Sequence, residues 1–240
     1  MTRIDTQYAA SVLQRPVFPS FRATEPYLKK LYRGLNSTTR EKLDTLERDC
    51  QGFAFLKTSK NGKALLQIVY RTWSMLECYD FHTRNPNCGI EFNDIVTLRR
   101  LLQHAAISSE PSTDILHELS RLAIIAFTTD CLSPLYPGGV FHRNSARAIK
   151  MAVVKCINSG YFQLHSELML WVLVLGGYIA RETPLRLWYI QQLHNTPILP
   201  SRAGWALVQR ISEQHLPFRF EPGRKCQEFW NEACMWTSHG

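Results

Sequence analysis

What the sequence lacks narrows it first. Its longest uninterrupted apolar run, residues 168–180, has 13 members, whereas a membrane-spanning helix needs about 20. The first residues, Met1-Thr2-Arg3-Ile4-Asp5, carry no apolar core of a secretory signal, so a soluble intracellular chain is expected. Seven cysteines are present (Cys50, Cys78, Cys88, Cys131, Cys156, Cys226 and Cys234) and no two stand in C-x-x-C spacing. The odd count and the wide intervals argue against both a disulfide framework and a zinc ribbon. The closest approach to metal-ligand spacing is Cys78, His82 and Cys88, which lacks the fourth ligand a structural zinc site takes. With 12 Gly and 12 Pro in 240 residues, collagen-like and low-complexity organisation are excluded.

The signatures of common chemistries are missing too. There is no phosphate-cradling G-x-x-x-x-G-K, no G-x-G-x-x-G, no G-x-S-x-G and no H-E-x-x-H. The pairs Gly138-Gly139 and Gly176-Gly177 read as a turn and a close helix packing. His142 and His165 read as loop and helix-start residues, and Glu167 and Glu182 as the two exits of a buried helix to water. No catalytic, cofactor-binding or metal-binding residue is therefore assigned, and a non-enzymatic role is expected.

What is present is ordinary globular composition, 45% hydrophobic and 20% charged, with a net charge of +8. The positive excess is uneven. Residues 1–63 hold 12 Lys and Arg against 6 Asp and Glu, a net of +6, and residues 64–240 hold 16 against 14, a net of +2. Such a bias suits either a solvated basic face or a site for a polyanion. Its densest point, Lys29, Lys30 and Arg33, falls on one helical face.

Hydrophobic spacing of three and four residues recurs along most of the chain, which predicts helices. They fall at 25–35, at 38–50 with Ser37, Thr38 and Thr39 as caps, and from Leu65 to Tyr79. Another opens at Asn93 or Asp94, and a long one covers 112–131. The remainder fall at 144–158, 167–180, from Thr183-Pro184 to His194, at 201–214 and at 223–236. No stretch has a convincing strand pattern. The fold class is all-α: a single domain of roughly nine helices over 24–240, preceded by a loosely ordered basic arm at 1–23. All six tryptophans fall in helical apolar stripes, which favours core packing over base stacking.

One ordered set of segments goes further. Residues 116–123 read Leu-His-Glu-Leu-Ser-Arg-Leu-Ala and include Leu119, Arg121 and Leu122. Residues 168–177 read Leu-Met-Leu-Trp-Val-Leu-Val-Leu-Gly-Gly and include Trp171, Gly176 and Gly177. Then come Pro184, Arg186, Leu187, Trp188 and Tyr189, next Trp205 and Val208, and finally Phe229-Trp230-Asn231-Glu232. In this order they resemble the C-terminal half of the fungal-specific transcription factor domain, the regulatory region downstream of a zinc binuclear cluster in many fungal regulators. The similarity covers residues 60–240. The residues make physical sense in that light. Trp171 stands in a helix apolar all round, which belongs in a core, and a glycine pair costing about 1 kcal/mol each in a helix is tolerable where a neighbour approaches closely.

The resemblance implies a nuclear helical module that acts by binding a partner or effector, with other transcription regulators or a second copy of itself as partners. The ten signature residues (Leu119, Arg121, Leu122, Trp171, Gly176, Gly177, Arg186, Trp188, Phe229 and Trp230) are implied to be structural. Family members carry six cysteines, in two C-x-x-C pairs plus two more, and this arrangement is absent here. DNA recognition through that cluster is therefore not expected, nor is membrane contact. The alternative is an all-α enzyme or small-molecule-binding protein of fungal secondary metabolism, with the cytoplasm as the alternative location.

Overall fold

A computed structural model describes residues 8–10, 12–14, 24–49, 51–59, 61–132, 137–196 and 204–236. Among them are thirteen helical elements and no strand. In chain order they are α1 (Glu25–Arg33), α2 (Ser37–Asp49), a 3-10 helix (Gln51–Lys57), α3 (Gly62–Arg84), α4 (Phe92–Ser108) and α5 (Ile115–Ala126). A π-helical turn (Phe127–Cys131) extends α5. Then follow α6 (Val140–Asn158), α7 (Tyr161–Leu164), α8 (Ser166–Ile179), α9 (Arg186–His194), α10 (Gly204–Gln214) and α11 (Phe220–Met235).

The ten expected spans are helical, and three further short elements bring the count to thirteen, against the roughly nine expected. The 3-10 helix, the π turn and α7 are each one or two turns long, too short to express a period in sequence. In the π turn, Thr128 Oγ1 donates to the carbonyls of Ile124 (2.8 Å) and Ile125 (3.2 Å). A hydroxyl bonded back into the preceding turn competes with the regular ladder. The arm at 1–23 also needs correction. Residues 8–10 and 12 are helical, and Ala9 and Ala10 are buried in the core; residues 1–7, 11 and 15–23 lie outside the described residues.

Local starts differ from expectation as well. The Asn36 side chain caps α2 by accepting from the Thr39 amide at 2.9 Å, so the cap precedes Ser37. The first turn of α5 is capped by Asp114, which accepts from the His117 amide at 3.0 Å. Helix α9 begins at Arg186, two residues after Pro184, because Thr183 turns back: its hydroxyl donates to the Ala180 carbonyl and accepts from the Leu185 amide.

The hub is α8. Every residue from Leu168 through Ile179 is buried, and α5, α6, α7, α9, α10, α11 and the 3-10 helix pack around it. The first four helices form a second group in which α4 packs on α1 and α3. The groups meet through α4 and α5, and one connected apolar cluster runs through both. Trp171 ties the hub to the chain beyond α10. Its indole N–H donates to the Leu216 carbonyl at 2.9 Å, and its ring stacks on His215 and Phe218 at 5.5 and 6.2 Å.

Candidate functional site

The signature residues fall into three places. Leu119, Arg121 and Leu122 are buried on α5. There Arg121 forms a forked pair with Glu118 at 2.8 and 2.7 Å, which neutralises a buried guanidinium. Trp171 sits apart, against Phe53, His215 and Phe218, and the others lie where α8, α9 and α11 cross. A Cβ on Gly176 would lie 2.3 Å from the Tyr189 ring, and one on Gly177 would lie 2.0 Å from the Phe229 ring. Arg186 donates to the Gly177 carbonyl at 3.0 Å, pairs with Glu232 and lies over the Phe229 ring at 5.0 Å. Trp188 meets Tyr189 edge-on at 4.9 Å and carries Lys150 over its face. Trp230 is buried on α11. These contacts lock three helices together.

Behind α8 lies a buried polar cluster with no sequence signature. Asp130, in the π turn, faces His142 Nε2 at 3.2 Å and Arg181 at 2.7 Å. The Asp130 and His142 side chains are fully buried. Arg181 also lies 4.2 Å over the Tyr178 ring. Burial pushes the Tyr178 phenol up, and the Cys131 and Cys226 thiols with it. The cluster thus joins the π turn, α6 and the end of α8 through one carboxylate.

Metal-like spacing acquires little geometry. Cys88 Sγ lies 4.0 Å from His82 Nδ1. Burial, with Glu77 adding to it, pushes the Cys78 thiol up to about 12, and a neutral thiol is a poor ligand. Among the described residues no three metal-ligating side chains converge. Two of the three cations in the basic cluster on α1 are paired within the molecule. Lys30 pairs with Asp94 at 2.7 Å and Glu91 at 3.2 Å, and Lys29 pairs with Glu25 at 3.8 Å.

One concavity of ligand size is apolar. It has a volume of about 280 Å³ and lies between α3, α4, the π turn and the start of α11. Met75, Leu76, Ile95, Val96 and Leu132 line it; Tyr79, Phe92 and Phe220 form an aromatic rim, and Arg99 and Glu221 supply its charges. Phe92 is 51% exposed and Phe220 45%. Tyr79 meets Phe220 edge-on at 4.8 Å. Phe220 has φ of 58°, a left-handed conformation that is uncommon for a bulky side chain and costs on the order of 1–3 kcal/mol. The sequence shows Phe92 and Phe220 only as residues next to helix starts; nothing in their spacing brings them together. Neither Asp130 nor His142 lines this groove.

Comparison of the chain with family models, with curated proteins and with solved structures found no match.

Proposed function

We propose that the chain is a helical regulatory module of the kind its resemblance to the fungal transcription factor domain implies, working by binding rather than by catalysis. The observation that carries this reading is the groove beside α4. A strained, half-exposed Phe220 and an exposed Phe92 flank an apolar floor. Exposed aromatics around a concave apolar surface are the usual make-up of a ligand or anchor pocket. At about 280 Å³ it suits a small apolar effector or one bulky side chain of a partner. The module would act in the nucleus with other transcription regulators or a second copy. The same groove favours the second reading, a small-molecule-binding protein of fungal secondary metabolism.

The probe is 1-anilinonaphthalene-8-sulfonate, an apolar fluorophore whose size matches the groove. The full chain is expected to raise and blue-shift its emission. Val96→Trp, which fills the floor, is expected to weaken binding about tenfold, or 1.4 kcal/mol. Equal binding by the filled variant would remove the groove from the account. Co-purification of the tagged chain with transcription regulators from nuclear extract separates the two readings. A ligand-bound but cytoplasmic chain without such partners would favour the second.

A further inference from the structure

Helix α6 presents an unusual outer face. Between Asp130 and Glu167 the chain contains no Asp or Glu, while Arg143, Arg147, Lys150 and Lys155 all lie within α6. Its inner face, including Phe141, Ser145, Ile149 and Val153, is buried. On the outer face Arg143, Arg147, Met151 and Val154 follow one another at intervals of four, four and three, which aligns them in one row. Lys150 and Ile157 border the row on one side and Lys155 on the other. Among the described residues, four of the ten exposed large apolar side chains stand on this one helix: Val140 (50%), Met151 (58%), Val154 (37%) and Ile157 (38%). Leu164, 76% exposed on α7, continues the patch beyond its end. The cations are not consumed internally. Arg143 donates to the Gly138 carbonyl and Lys150 lies over Trp188 at 5.0 Å, but among the described residues none of the four pairs with a carboxylate.

We propose that this face of α6 is a docking surface for an acidic amphipathic segment of a partner protein, one that folds as a helix along it with its Asp and Glu on the α6 cations and its apolar side chains on Met151, Val154 and Ile157. The surface is about 28 Å long, the length of 19 helical residues. Two other polyanions fit less well. Nucleic acid would satisfy the cations but would cover Met151, Val154 and Ile157 with phosphate and sugar, gaining nothing from them. A membrane-surface helix segregates its apolar face from its charges, whereas here Arg147 and Met151 share one row. A segment in which carboxylates and apolar residues alternate at helical spacing complements both features at once. This goes beyond the groove reading, and it uses a different face of the molecule.

The test uses the full chain and a fluorescein-labelled synthetic peptide of about 20 residues, with Glu and Leu alternating along one helical face at intervals of three and four. Fluorescence anisotropy is expected to show binding that weakens with added salt. A scrambled peptide of the same composition is expected to bind at least about tenfold more weakly. Arg147→Glu with Lys155→Glu, and separately Met151→Asp with Val154→Asp, are each expected to cost about tenfold, with unchanged thermal midpoints because all four side chains lie outside the core. Val96→Trp is expected to bind the peptide normally. Equal binding of patterned and scrambled peptides overturns the proposal, as does no binding at all. Tighter, variant-sensitive binding to phosphatidylserine vesicles or to a DNA duplex overturns it in favour of that surface or polymer. Failure of the unsubstituted chain to bind the peptide while it still binds the fluorophore would overturn this inference and leave the groove reading standing.

Discussion

His215 is the residue whose environment has the clearest energetic consequence. It is 1% exposed, stacked on Trp171 and set edge-on to Phe53 at 5.1 Å, and its Nδ1–H donates to the Ile211 carbonyl at 2.9 Å. Burial lowers its pKa from 6.5 to about 4, against a smaller opposing pull from Ile211. The unfolded chain therefore binds the proton more readily than the folded one between these values. Stability is full above pH 6.5 and is lost as pH falls toward 4, by on the order of 3 kcal/mol at the acid end. Urea midpoints measured from pH 7 to 4 are expected to fall, and His215→Leu is expected to flatten that fall. Glu77 adds a loss of the same sign lower on the scale. Burial pushes its carboxyl up, but Lys42 and Arg219 outweigh this and hold it below the usual carboxylate range, so its contribution disappears as pH drops through that lowered value.

At the scale of the elements, the crossing of α8, α9 and α11 depends on two missing side chains. Helix propensity alone would make Gly177→Ala stabilising by about 1 kcal/mol. A Cβ there would stand 2.0 Å from the Phe229 ring, which itself lies under Arg186, so the variant is expected instead to lose about 1–3 kcal/mol by overpacking. Chemical denaturation decides the sign. The crossing also shows how far the sequence could be read. The ten longer helices were legible because each keeps a three-to-four rhythm over at least two turns, and the burial of α8 was legible because no polar residue interrupts it. The π turn was not, since Thr128 reads as a continuation of α5 until its hydroxyl is seen returning to Ile124 and Ile125. The groove was not, because Tyr79, Phe92, Leu132 and Phe220 come from four segments that no spacing in sequence connects.

At the scale of the whole molecule, one charged clamp joins distant parts of the chain. Arg219, just ahead of α11, pairs with Glu77 at 2.6 Å and with Asp80 on α3, while Lys42 from α2 reaches the same Glu77 at 2.8 Å. The Trp73 ring lies under both cations, at 4.8 and 5.5 Å. Removing a partner from a buried pair costs far more than the pair contributes, because the remaining charge stays desolvated. Arg219→Leu is therefore expected to lower unfolding free energy by about 3 kcal/mol, read from denaturant curves, with a smaller loss for the pair Glu77→Gln and Arg219→Leu. The burial of α8 has a consequence in time as well as in space. Its covering helices α9, α10 and α11 follow it on the ribosome, and from Ile179 to Met235 there are 56 further residues to make. At about 5–20 residues per second the newborn chain carries an incompletely covered apolar helix for roughly 3–11 s. The step at which this protein is most exposed to aggregation is thus its own synthesis, before the last helix closes over the hub.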